Sequence, residues 1–135
     1  MYGYSGAGRT GPSSGAAGER WEERHMAENV IEVSDQDFEG KVLHSERPVL
    51  VDFWAEWCVP CHMVSPVVED IARDFADSMT AAKMNVDDNP QTARRFGVMS
   101  IPTLIVFKDG EEKARVIGAR GKDAILREIE AHIAA

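Results

Sequence analysis

At 135 residues the chain is long enough for one domain with a packed core. Its formal net charge of −8 would repel phosphate, which argues against a nucleic-acid partner. No apolar run approaches the roughly 18 residues of a membrane helix, and no secretory apolar segment opens the chain. A cytoplasmic protein with no membrane partner is therefore expected. Arg9, Arg20 and Arg24 balance Glu19, Glu22 and Glu23, so the negative charge lies in residues 26–135.

Residues 1–18 hold six of the eleven glycines and little that can be buried, which predicts disorder. With the charged stretch that follows and its single Trp21, residues 1–27 read as a flexible extension and residues 28–135 as the folded domain. Residues 30–33 read as a first strand. Ser34 is placed to cap a helix, with Asp35 and Asp37 in its first turn and Phe38, Val42 and Leu43 on one face. Pro48 blocks extension of that helix.

Residues 49–54 form a near-continuous apolar run, as in a central strand covered on both faces, with Asp52 its one exception. Pro60 opens the next helix, where its missing N–H is harmless. Met63, Val64, Val67, Val68, Ile71, Ala72 and Phe75 then repeat at helical spacing, and Pro66 predicts a kink. Residues 81–86 suit a strand parallel to the previous one, because a helix separates them. Residues 87–90 read as a turn capping a helix that runs to about Phe96 and stops at Gly97. Residues 103–107, the Asp109-Gly110 turn and residues 113–117 form a hairpin that ends at Gly118. Ile125, Leu126, Ile129 and Ile133 line a last helix from about Lys122. The fold class is α/β: a mixed central sheet with helices on both faces, in the order β-α-β-α-β-α-β-β-α.

Cys58 and Cys61 are the only cysteines. At Cys-x-x-Cys spacing on a strand-to-helix junction they suit redox chemistry. Unpaired N–H groups and the positive dipole end at the helix start favour a thiolate at Cys58, the expected attacking sulfur. Cys61, one turn inside and more buried, is the expected resolving thiol. Asp52, in its apolar strand, should have a raised pKa and accept the proton of Cys61, with Lys83 on the neighbouring strand moderating its charge. Ile101-Pro102 before a buried strand is a candidate cis bond that bares the backbone to an extended partner. Trp57, Val59 and Ile101 add apolar surface for docking. A zinc site would need four ligands, and only His62 stands beside the two cysteines, so no bound metal or other cofactor is expected.

Taken together, residues 51–61, Ile101-Pro102-Thr103, the Phe107 to Gly110 pattern and Gly118 resemble the thioredoxin family, over about residues 28–134. The resemblance implies a sheet flanked by four helices, a cis Pro102 and a redox-active Cys58–Cys61 disulfide. It implies reduction of protein disulfides, with electrons from NADPH through a flavoprotein thioredoxin reductase. It makes Cys58 the nucleophile, Cys61 the resolving thiol and Asp52 the buried acid, with Trp57, Ile101, Pro102 and Gly118 lining the substrate groove; by their positions alone, Pro60 and Lys83 are expected in the catalytic set and Val59 at the groove. A monomer is expected. Two departures stand out. Val59 replaces the usual Gly and should move the reduction potential from the family's roughly −270 mV. His62 replaces the usual Lys or Arg, giving a pH-dependent local charge. An oxidase or isomerase of the same fold, and a docking module that does no chemistry, are the alternatives.

Overall fold

The structure, a computed structural model, describes residues 29–134. The expectations of a flexible extension over residues 1–27 and of a docking role for Trp21 lie outside the described residues. Five strands form one sheet in the order β1-β3-β2-β4-β5. They are β1 (Val30–Glu32), β2 (Val49–Trp54), β3 (Thr80–Asn85), β4 (Thr103–Lys108) and β5 (Glu111–Ile117). Strand β3 runs parallel to both β1 and β2, while β4 is antiparallel to β2 and β5 to β4. The expected mixed sheet is present, and β2 sits at its centre with every residue but Trp54 buried. The crossover from β2 to β3 runs through helix α1 (Val59–Asp74), so the two strands can be parallel. Asp109 and Gly110, both at positive φ, close the β4–β5 hairpin in two residues, as the Asp-Gly pair requires.

Alternation along β2 sorts its side chains to two cores. Leu50 joins Val64, Val68 and Ile71 of α1 and Ile125, Ile129 and Ile133 of helix α3 (Lys122–Ile133). Val49, Val51 and Phe53 join Phe38, Val42 and Phe107 on the other face. Asp52 shares the parity of Leu50 and so projects toward α1.

Two local expectations need correction. The first helix is a five-residue π-helical segment, Glu39–Leu43, preceded by turns. Ser34 and Asp37 do engage each other, as Ser34 N–H donates to Asp37 Oδ1 at 2.6 Å and Asp37 N–H to Ser34 Oγ at 3.3 Å. Asp35, however, serves a different helix. The short α2 (Pro90–Arg95) receives no side-chain cap from Asn89. Instead the Asp35 carboxylate accepts from the N–H groups of Gln91 and Thr92 and from the Thr92 hydroxyl, at 2.7–3.1 Å. Burial pushes the Asp35 pKa up, but the Thr92 and Gln91 donors outweigh it and hold the pKa below its ordinary value. Pro66 lies within α1 without ending it.

Candidate active site

Strand β2 carries the chain from the sheet centre to the N-terminus of α1, and the cysteines stand at that junction. Cys58 is the N-cap residue, in extended conformation, with Val59 and Pro60 as the first two helical residues. A helix end leaves its first N–H groups without internal partners. One of them, the N–H of Cys61, donates to Cys58 Sγ at 3.2 Å. The two cysteines form a disulfide, with Cα atoms 5.3 Å apart. Cys61 is the more buried of the two, but only narrowly, at 2% exposure against 4% for Cys58. Ala55 below and half-buried Trp54, Val86 and Ile101 around it account for that closure. Cys58 Sγ lies 3.9 Å from the Ile101 carbonyl.

Asp52 sits beneath the dithiol, 4% exposed, and its Oδ1 has no hydrogen-bond partner. Burial pushes its pKa up to about 7, against the opposing pull of the Lys83 charge. Register explains the second effect: Asp52 pairs directly with Lys83 across the parallel β2–β3 ladder. No ion pair joins them, because the Lys83 ammonium rests over the Trp54 ring, 4.9 Å from its centroid. Asp52, Lys83 and Cys61 share a cavity of about 310 Å³ that also reaches His62 and Ser65.

The groove side is apolar. Trp57 and Ile101 line a hollow of about 300 Å³ with Val86, Val98 and Met99. Trp57 is 68% exposed, and its Nε1–H donates to Asp87 Oδ2 at 2.8 Å, which anchors a ring that has little packing of its own. The Ile101–Pro102 peptide is cis. Gly118, at φ +93°, donates its N–H to the Pro102 carbonyl at 2.9 Å, so these two expected groove residues meet through the backbone. Val59 is exposed beside Cys58 and is not part of the hollow. Asp87 and Met99 were missed by sequence reasoning. Asp87 read as one more turn residue, and nothing local to Met99 signalled its place beside Trp57.

A disulfide closing the first turn of a helix, above a buried carboxyl and beside an apolar hollow, defines a thiol–disulfide oxidoreductase. The family model described as thioredoxin matches residues 29–131. The thioredoxin of Mycobacterium bovis is 59% identical over 100 residues, covering 74% of this chain and 86% of that one. The thioredoxin of Pseudomonas aeruginosa is 44% identical over 108 residues, covering 80% of this chain and 100% of that one. The bifunctional thioredoxin reductase/thioredoxin of Mycobacterium leprae is 54% identical over 100 residues, 74% of this chain and 22% of that longer one. This chain belongs to the thioredoxin family, and its activity is that of a protein-disulfide reductase. Among the described residues, no helix is long and apolar enough to cross a membrane.

Proposed function

We propose that Cys58 is the attacking thiolate, Cys61 the resolving thiol and Asp52 the proton acceptor for Cys61. Reduced Cys58 attacks one sulfur of a client disulfide; a Cys58–client bond forms, and the other client sulfur leaves and takes up a proton. Cys61 then gives its proton to Asp52 and attacks Cys58 Sγ. The Cys58–Cys61 bond forms, and the client's second sulfur leaves as a thiolate that is protonated in turn. Two electrons pass from the dithiol to the client. The observation that carries this assignment is the place of Cys58 at the N-cap, where its sulfur accepts the Cys61 N–H. A thiolate there gains from that donor and from the helix dipole. Asp52, with its orphaned oxygen and raised pKa, suits a proton acceptor near neutrality.

Trp57, Val59, Ile101, Pro102 and Gly118 form the docking surface for an extended client segment, and Pro60 sets the helix start. Lys83 tempers the charge on Asp52. Electrons arrive from NADPH through a thioredoxin reductase, a partner supported by the relative whose name joins the two activities. The working unit is residues 28–135, acting as a monomer in the cytoplasm.

Insulin-disulfide reduction with dithiothreitol tests the assignment. The wild type should accelerate it, Cys58→Ser should abolish the acceleration, and Cys61→Ser should accumulate a mixed disulfide. Wild-type Asp52 replaced by Asn should be slower; equal speed would remove its role as acceptor and leave the cysteine assignments standing.

A further inference from the structure

Edge strand β5 carries a charged pair that sulfur exchange leaves unused. The β4–β5 ladder pairs Ile105 with Arg115, Val106 with Ala114 and then Phe107 with Glu112, so Lys113 is the extra residue of a bulge. In a regular strand, residues three apart face opposite sides of the sheet. The bulge reverses that. Arg115 and Glu112 stand opposite Ile105 and Phe107, which both belong to the core that receives Ala93 and Phe96. The Glu112 carboxylate accepts from the Nε–H and Nη2–H groups of Arg115, each at 2.8 Å. The same guanidinium reaches the end of α2. Nη2–H also donates to the Phe96 carbonyl, and Nη1–H to the Gly97 carbonyl at 3.3 Å. Carbonyls at a helix end lack partners within the helix, and a guanidinium offers several donors in one plane.

These contacts stand at the start of the segment that builds the groove. Gly97, at φ +66°, turns the chain out of α2. Val98, Met99, Ser100 and Ile101 follow directly and line the apolar hollow with Trp57. The Ile101 carbonyl lies 3.9 Å from Cys58 Sγ. At the far end of the segment the Thr103 hydroxyl donates to the Ser100 carbonyl at 2.7 Å. Between these two anchors Met99 is 94% exposed and has little packing of its own. We propose that Arg115, steadied by Glu112, is a positioning residue for client docking: it fixes residues 97–101 where Met99 and Ile101 meet an extended disulfide segment. Its hydrogen bonds go to Glu112, Phe96 and Gly97, so it acts on the seating of a client and leaves the exchange of sulfurs alone. The inference rests on the groove being the docking surface, as proposed above.

Arg115→Gln, which removes the charge and the fork, is the test variant. Reduced protein is mixed rapidly with a fluorogenic peptide disulfide that has apolar residues beside its cysteine. A parallel series uses hydroxyethyl disulfide, which is too small to engage the groove. Second-order rate constants are measured well below the unfolding temperature of each variant. We expect Arg115→Gln to slow the peptide about fivefold and to leave hydroxyethyl disulfide unchanged. Arg115→Lys, whose ammonium can still reach one carbonyl, should recover much of the loss. A wild-type peptide rate in Arg115→Gln would overturn the proposal. So would an equal fall for both disulfides, or Arg115→Lys performing no better than Arg115→Gln. Should Arg115→Gln not fold, Glu112→Gln carries the test, because it loosens the guanidinium without removing it. The peptide should then slow about twofold with hydroxyethyl disulfide again unchanged, and a wild-type peptide rate would overturn the proposal. Trp57→Ala, run alongside, separates the two levels. If it reduces the peptide as fast as wild type, the groove reading falls and the role of Arg115 with it; if it is slow while Arg115→Gln is fast, only the role of Arg115 falls.

Discussion

Replacing Asp52 by Asn should favour the folded protein increasingly as pH rises from 3.8 to about 7, and fully above that. Burial raises the Asp52 pKa from its ordinary 3.8 to about 7. Below pH 3.8 the group is protonated in both folded and unfolded chains and contributes nothing to the difference. Between 3.8 and about 7 the unfolded chain gives up a proton that the folded chain keeps, so stability falls as pH rises. At ~1.36 kcal/mol for each pH unit, that gap amounts to about 4 kcal/mol, fully expressed above pH 7. Against a total of roughly 5–15 kcal/mol for a domain, this is a large sacrifice for one side chain. The assay is urea unfolding of the oxidised wild type and Asp52→Asn, where no cysteine titrates, at pH 4 and pH 8. The stability gap between them should move by about 4 kcal/mol in favour of the variant between the two pH values. Other titrating groups cancel in that comparison, and so does any fixed penalty for a buried amide. A gap that stays constant from pH 4 to pH 8 would refute the raised pKa and, with it, the physical basis for Asp52 as a base.

Other substitutions probe the supports of the site. Asp35→Ala removes the cap of α2 and should lower stability by about 1–2 kcal/mol in thermal or urea unfolding. Because the Asp35 pKa is depressed, that loss should shrink as pH falls through its folded value. Gly118→Ala meets no neighbouring atom, so its effect is the left-handed backbone alone, about 1–2 kcal/mol lost by the same measurement. Unchanged stability there would mean the segment relaxes away from Pro102. Val59→Gly gives the open dithiol more conformational freedom than the closed disulfide. It should raise the reduction potential by on the order of 10–20 mV in a glutathione titration. A fall, or no change, would refute that account.

Local chemistry made much of this protein readable from the chain. The apolar run of β2, the helical spacing after Pro60 and the Asp109-Gly110 turn each depend on neighbours a few positions away. So does the dithiol at the helix mouth, because a cap is a property of adjacent residues. What the tertiary structure decided is whatever depends on partners distant in sequence. Asp35 looked like the first turn of its own helix, yet its carboxylate caps one more than fifty positions on. The stretch after it became a π-helical segment packed through Phe38 and Val42, because burying those side chains outweighed regular α geometry. Asp87 read as a turn and proved to anchor Trp57. Cys58 is nearly as enclosed as Cys61 because Val86 and Ile101, brought in by other elements, close around it. The sequence could place a lone carboxylate in a strand, but only the β2–β3 register and the packing of α1 determine that it is buried, unpartnered and opposite Lys83. Residue type and spacing set what each group can do; the low-dielectric surroundings that set its pKa are assembled by folding.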